Sequence, residues 1–86
     1  MERLPFADGF HYADDALHCN GIPVADIAAD CGTPLYLYNL DAIAARYRSY
    51  EDAFAGVEHL TCYAVKANSS LAVLRALARA GSGFDV

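Results

Sequence analysis

The stretch that most constrains this chain is Leu60-Thr61-Cys62-Tyr63-Ala64-Val65-Lys66-Ala67-Asn68, an apolar run that carries one lysine and is followed by two serines. β-Branched and aromatic residues dominate it and turn residues close it, so a buried strand is expected there. Side chains alternate along a strand, which puts Leu60, Cys62, Ala64 and Lys66 on one face and Thr61, Tyr63 and Val65 on the other. The lysine face is then lined by small residues, and the opposite face carries the bulk that packs against helices.

Lys66 falls at the carboxyl end of that expected strand, where parallel α/β folds place their ligand crevices. An ammonium held among apolar neighbours loses solvation, which brings its neutral, nucleophilic form within reach, as Schiff-base chemistry with an aldehyde cofactor requires. The same spacing also suits a lysine that simply snorkels from a strand end to water.

The flanking segments supply the frame. Val24, Ile27, Ala28 and Cys31 recur at helical spacing after Pro23, and Gly32 is a natural stop. Thr33-Pro34 then breaks the chain, and Leu35 to Tyr38 is expected to be a short extended segment. Asn39 or Asp41 suits the cap of a second helix carrying Ile43, Tyr47, Tyr50 and Phe54 on one face, read as core packing against the Tyr63 and Val65 side of the strand. Gly56 is expected to end it. Beyond Lys66, Asn68 is a turn residue that steadies the loop, and Ser69 or Ser70 caps a third helix, Leu71 to Ala80, with Leu71, Leu74, Leu77 and Ala78 inward and Gly81 at its end.

Gly81-Ser82-Gly83 next turns into a second strand, Phe84-Asp85-Val86. Strand, helix and strand form a βαβ unit with parallel strands and a right-handed crossover. The two glycines do not make a phosphate loop, because they follow a helix and open a strand, the reverse of a phosphate-cradling order. On a parallel neighbour, Asp85 has two readings: an acid reaching toward Lys66, or one that pairs locally at the start of its strand.

Nearer the amino end, Pro5 and Asp8-Gly9 mark a loose lead-in over residues 1–9. Phe10-His11-Tyr12 and Ala16-Leu17-His18-Cys19 flank Ala13-Asp14-Asp15 as a β-hairpin that Asn20-Gly21 ends. Asp14 and Asp15 are a solvated turn, not a catalytic pair. His11, His18 and Cys19 lack zinc-site spacing and a fourth ligand, so no metal site is assigned. The odd set Cys19, Cys31 and Cys62 fits reduced core thiols better than a disulfide framework, and His59 reads as a polar loop residue.

Composition limits the partners. The 86 residues carry a formal net charge of −5 with six basic residues scattered through them, which disfavours nucleic acid. Hydrophobic residues make up 56%, which excludes a disordered chain. No apolar run has the length of a membrane span and no signal peptide is evident, so a cytoplasmic protein is expected.

Three blocks in order, Tyr63-Ala64-Val65-Lys66-Ala67-Asn68, Leu71-Ala72-Val73-Leu74 and Gly81-Ser82-Gly83-Phe84-Asp85-Val86, preceded by Gly32-Thr33-Pro34-Leu35-Tyr36-Leu37-Tyr38, resemble the fold type III pyridoxal-phosphate decarboxylases. The likeness covers nearly the whole chain and is greatest to the branch acting on diaminopimelate. It implies the start of a (β/α)₈ barrel of the alanine racemase-like type over residues 35–86, preceded by residues 1–34 as part of a second, all-β domain. Such a barrel needs roughly 250 residues, so the chain is expected to be a piece of a longer protein and inactive alone.

The resemblance further implies that Lys66 is the catalytic, cofactor-binding lysine and that Asp85 lies beside the cofactor, pyridoxal 5′-phosphate. The implied reaction is decarboxylation of meso-2,6-diaminopimelate to L-lysine, in a homodimer with shared active sites. Ornithine or arginine decarboxylases share the lysine block, and a non-catalytic relative is the remaining alternative. None of Cys19, Cys31 or Cys62 matches the family's catalytic cysteine, which lies in a later part of the chain.

Overall fold

A computed structural model describes residues 9–86; the lead-in expected over the first residues lies, but for Gly9, outside the described residues. The chain divides into two compact units, Met1–Asn39 and Leu40–Val86.

In the first unit, β1 (Phe10–Ala13) and β2 (Ala16–Cys19) form an antiparallel hairpin. Asp14 and Asp15 join them with φ of 51° and 60°, the paired positive angles of a type I′ turn, whose twist matches that of the strands. The expected end of the hairpin at Asn20-Gly21 is instead a second turn of the same kind, with φ of 49° and 81°. It leads into a third strand, β3 (Ile22–Pro23), antiparallel to β2. Pro23 sits on this edge, where its missing N–H costs the ladder nothing.

Helix α1 (Val24–Cys31) follows directly and packs against β2 and β3, with Val24, Ile27 and Ala28 half-buried and Gly32 closing it through its N–H to the Ala28 carbonyl, 2.8 Å. Residues 35–38 form no strand, yet Leu35 and Leu37 are half-buried while Tyr36 and Tyr38 are exposed, the alternation of an extended segment. Asn39 is buried, and its amide donates to Asn20 Oδ1 at 2.9 Å.

The second unit is built from α2 (Leu40–Ala53), β4 (Cys62–Ala64), α3 (Leu71–Ala80) and β5 (Gly83–Asp85), and the two strands are parallel. Its core is Tyr47 from α2 with Val73 and Leu77 from α3, joined at the edge by Ile43, Tyr63 and Ala80. Only part of the expected aromatic face is used: Tyr47 is buried, while Tyr50 and Phe54 are exposed. The inward face of α3 is also rotated. Val73 and Leu77 face the core, whereas Leu71 and Ala78 are exposed and Leu74 is half-buried, because α2 covers the 73/77/80 stripe and leaves the 71/74/78 stripe open.

A Schellman motif closes α3 at Gly81, whose φ is 107°: its N–H reaches the Ala78 carbonyl at 3.1 Å and the Ser82 N–H reaches Leu77 at 3.0 Å. The chain is thereby reversed into β5.

Candidate functional site

Two residues on adjacent parallel strands were expected to make the site, and their surroundings follow from the register. Cys62 is opposite Gly83, Tyr63 opposite Phe84 and Ala64 opposite Asp85. A Cβ on Gly83 would lie 2.7 Å from Cys62 Sγ, so these two positions share a face. By the period of two, Ala64 and Asp85 lie on it as well. On the strands that face carries small side chains before the acid, with Leu60 at its edge, 3.6 Å from where a Gly83 Cβ would stand, and Tyr63 and Phe84 occupy the other.

The strand is shorter than expected. The ladder with β5 runs only from Cys62 to Ala64, with Gly83 N–H also bonded to the Thr61 carbonyl at 2.9 Å. Leu60 lies outside the strand and is exposed. Past Ala64 the chain tightens into a 3₁₀ turn, Val65–Ala67. Lys66 is at the centre of this turn, beyond the carboxyl end of β4, and its direction is set by the turn and not by the strand's alternation.

Lys66 is exposed, not enclosed among apolar neighbours, and so is Asp85. They stand at the same end of neighbouring strands and make no ion pair with each other. Two grooves of about 410 and 440 Å³ flank the sheet, one lined by Val65, Leu71, Leu74 and Phe84, the other by Tyr47, Tyr50, Cys62 and Tyr63. Lys66 lines neither.

What holds the lysine turn is a set of bonds around it. The Tyr63 hydroxyl donates to the Asn68 carbonyl at 2.9 Å, and Asn68 Oδ1 accepts the Ser70 N–H at 2.9 Å. Asn68 therefore does the work expected of a serine cap, since Ser70 makes no capping bond with its own side chain. The alternating pattern marks Tyr63 as packing bulk alone; its hydroxyl bond spans only five residues, and a tyrosine beside a turn is the available signal.

A second polar group lies at the amino side of β4. His59 Nε2 is 3.2 Å from Glu51 Oε2 and its Nδ1 is 2.7 Å from the Val57 carbonyl. With an acceptor at each ring nitrogen the imidazolium form is favoured, and the Val57 carbonyl first, then Glu51, raises the histidine's pKa. Donation from Thr61, helped by His59 and Tyr47, holds the Glu51 carboxyl below its ordinary value. Nothing in the sequence linked these residues, which are eight apart across an irregular connection.

The cysteines are free, but only Cys19 is buried; Cys31 and Cys62 are exposed, against the expectation of core thiols. Cys62 lines the groove that also holds Tyr47, Tyr50 and Tyr63. No helix among the described residues is long and apolar enough to cross a membrane.

The family model described as "Pyridoxal-dependent decarboxylase, pyridoxal binding domain" matches residues 40–86, the extent of the second compact unit. The chain belongs to the pyridoxal-dependent decarboxylases. The span matched by this decarboxylase family includes both Lys66 and Asp85. The chain is 52% identical over 79 residues to the diaminopimelate decarboxylase of Pseudomonas aeruginosa, covering 92% of this chain and 19% of that protein. It is 45% identical over 80 residues to that of Vibrio cholerae, with the same two coverages, and 51% identical over 53 residues to one from Helicobacter pylori, covering 62% of this chain and 13% of that one. The chain thus spans about a fifth of the length of the first curated relatives it matches. No solved structure matches it.

Proposed function

We propose that the protein carrying this chain decarboxylates meso-2,6-diaminopimelate to L-lysine, using pyridoxal 5′-phosphate held by Lys66. The observation that carries this reading is the placement of Lys66 on a turn beyond β4 with Asp85 at the same end of β5. The residues present fit such a cofactor: a primary amine able to condense with an aldehyde, a carboxylate one strand away, and a small-residue face between β4 and β5 that leaves room for a flat ring. When bound, the cofactor supplies an electron sink for the pair released as carbon dioxide leaves.

The chain's own residues then have separable tasks. Lys66 would hold the cofactor through its Nζ and would be the group placed to hold or pass a proton beside it. Asp85 sets the electrostatics beside it. Residues 1–34 belong to a second, all-β domain and 35–86 begin the barrel. The protein is a cytoplasmic homodimer with shared active sites.

The test uses the full-length protein. Borohydride reduction in the presence of pyridoxal phosphate, followed by peptide mapping, is expected to label Lys66, and carbon dioxide release is expected from diaminopimelate in preference to ornithine or arginine. Label at another lysine removes the assignment of Lys66, and preference for ornithine or arginine replaces the substrate.

A further inference from the structure

We infer that Tyr63 is a positioning residue for Lys66, acting through its hydroxyl; the inference rests on the reading of Lys66 as the cofactor lysine. Lys66 makes no side-chain hydrogen bond or ion pair among the described residues and is exposed, so where its amine stands depends on the backbone of the turn Val65–Ala67. Both ends of that turn are tied to one anchor. The Tyr63 ring packs on the cluster of Tyr47, Val73 and Leu77, while its hydroxyl crosses the turn to the Asn68 carbonyl, 2.9 Å away.

Asn68 extends the tie. Its side chain takes the Ser70 N–H at 2.9 Å, at the N-terminus of α3, and α3 is fixed in the same core by Val73 and Leu77. The three turn residues are therefore bracketed by a short relay, Tyr63 to Asn68 to Ser70, whose two supports are parts of one packed cluster. Phenylalanine at 63 keeps the packing and removes only the crossing bond. Loss of one such bond loosens the turn and spreads the positions open to the amine, and orientation of a reacting group is what bonding to an aldehyde depends on.

The experiment compares full-length wild type with Tyr63→Phe. Four quantities are read: the pyridoxal-phosphate dissociation constant, the absorbance band of the Lys66-bound cofactor, the borohydride labelling rate at Lys66, and amide exchange over residues 65–70. In Tyr63→Phe, binding and labelling are expected to weaken about five- to tenfold, the loss of one neutral hydrogen bond. The turn amides are expected to exchange faster while the melting temperature and circular dichroism stay close to wild type.

Asn68→Ala, which keeps the carbonyl that Tyr63 uses, is expected to give a smaller loss in the same direction, and the double variant less than the product of the two. A Tyr63→Phe protein with wild-type affinity, band and labelling rate overturns the positioning role and leaves Lys66 as the cofactor residue. Absence of label on Lys66 in the wild type overturns both. Should Tyr63→Phe fail to fold, wild-type affinity and turn exchange in Asn68→Ala overturn the relay.

Discussion

Gly83 lies against Cys62 so closely that a Cβ added to it would come within 2.7 Å of the cysteine Sγ. The two are paired in the register that puts Asp85 opposite Ala64, two residues before Lys66. Gly83→Ala is accordingly expected to cost about 1–3 kcal/mol through overpacking. Cys62→Ala should recover part of that loss, and equilibrium denaturation of the single and double variants measures the coupling. Equal losses with and without Cys62 would show that the contact is not the cause.

Leu77 is 5% exposed and forms a buried cluster with Tyr47 and Val73, against which Tyr63 packs. Its truncation to alanine removes apolar burial and leaves a cavity, so a loss of about 2–5 kcal/mol is expected. Leu77→Met, which conserves volume, should cost less than about 1.5 kcal/mol. Denaturant midpoints at unchanged slope decide it.

The two hairpin turns of the first unit make opposite forecasts. Asp15, at φ 60°, bears the strain of a left-handed conformation that glycine escapes, whereas Gly21 at 81° already has it relieved. Asp15→Gly should therefore stabilise by about 0.5 kcal/mol, and Gly21→Ala should destabilise by about 1 kcal/mol. Melting temperatures moving the same way in both variants would contradict the type I′ assignment.

Glu51 and His59 define a window of pH. The folded carboxyl is lowered, so its contribution is present above the unfolded carboxylate pKa and lost as pH falls through the depressed value. The folded histidine is raised, so its contribution is complete below the unfolded imidazole pKa and lost as pH rises through the elevated value. Their attraction is greatest between those two limits. In a nuclear magnetic resonance titration, Glu51→Gln should bring His59 part of the way back, because the Val57 carbonyl, the larger cause, remains. A His59 titration unmoved by the substitution rules the pair out.

Under the proposed function, Asp85→Asn removes a charge beside the cofactor lysine without changing shape. Pyridoxal-phosphate affinity of the full-length protein is expected to fall about 10- to 100-fold, the range for a hydrogen bond to a charged group. Unchanged affinity would return Asp85 to a strand-end role.

Local chemistry determined a good deal of this protein in advance. Leu71–Ala80 was legible as a helix because serine and asparagine precede it and glycine follows, and Asp14-Asp15 as a turn because acidic pairs resist burial. The lysine block and the Gly-x-Gly-Phe-Asp segment identified the family, since such motifs are linear. Other features waited on tertiary structure. Which stripe of α3 is buried depended on where α2 lies, and both stripes are apolar. The ladder of β4 with β5 ends at Ala64, and Lys66 stands in the 3₁₀ turn that follows, a departure from the strand that the alternating pattern did not show. The Tyr63 to Asn68 bond and the Glu51 to His59 pair are distances between atoms, and residue order constrains a distance only after the chain has folded.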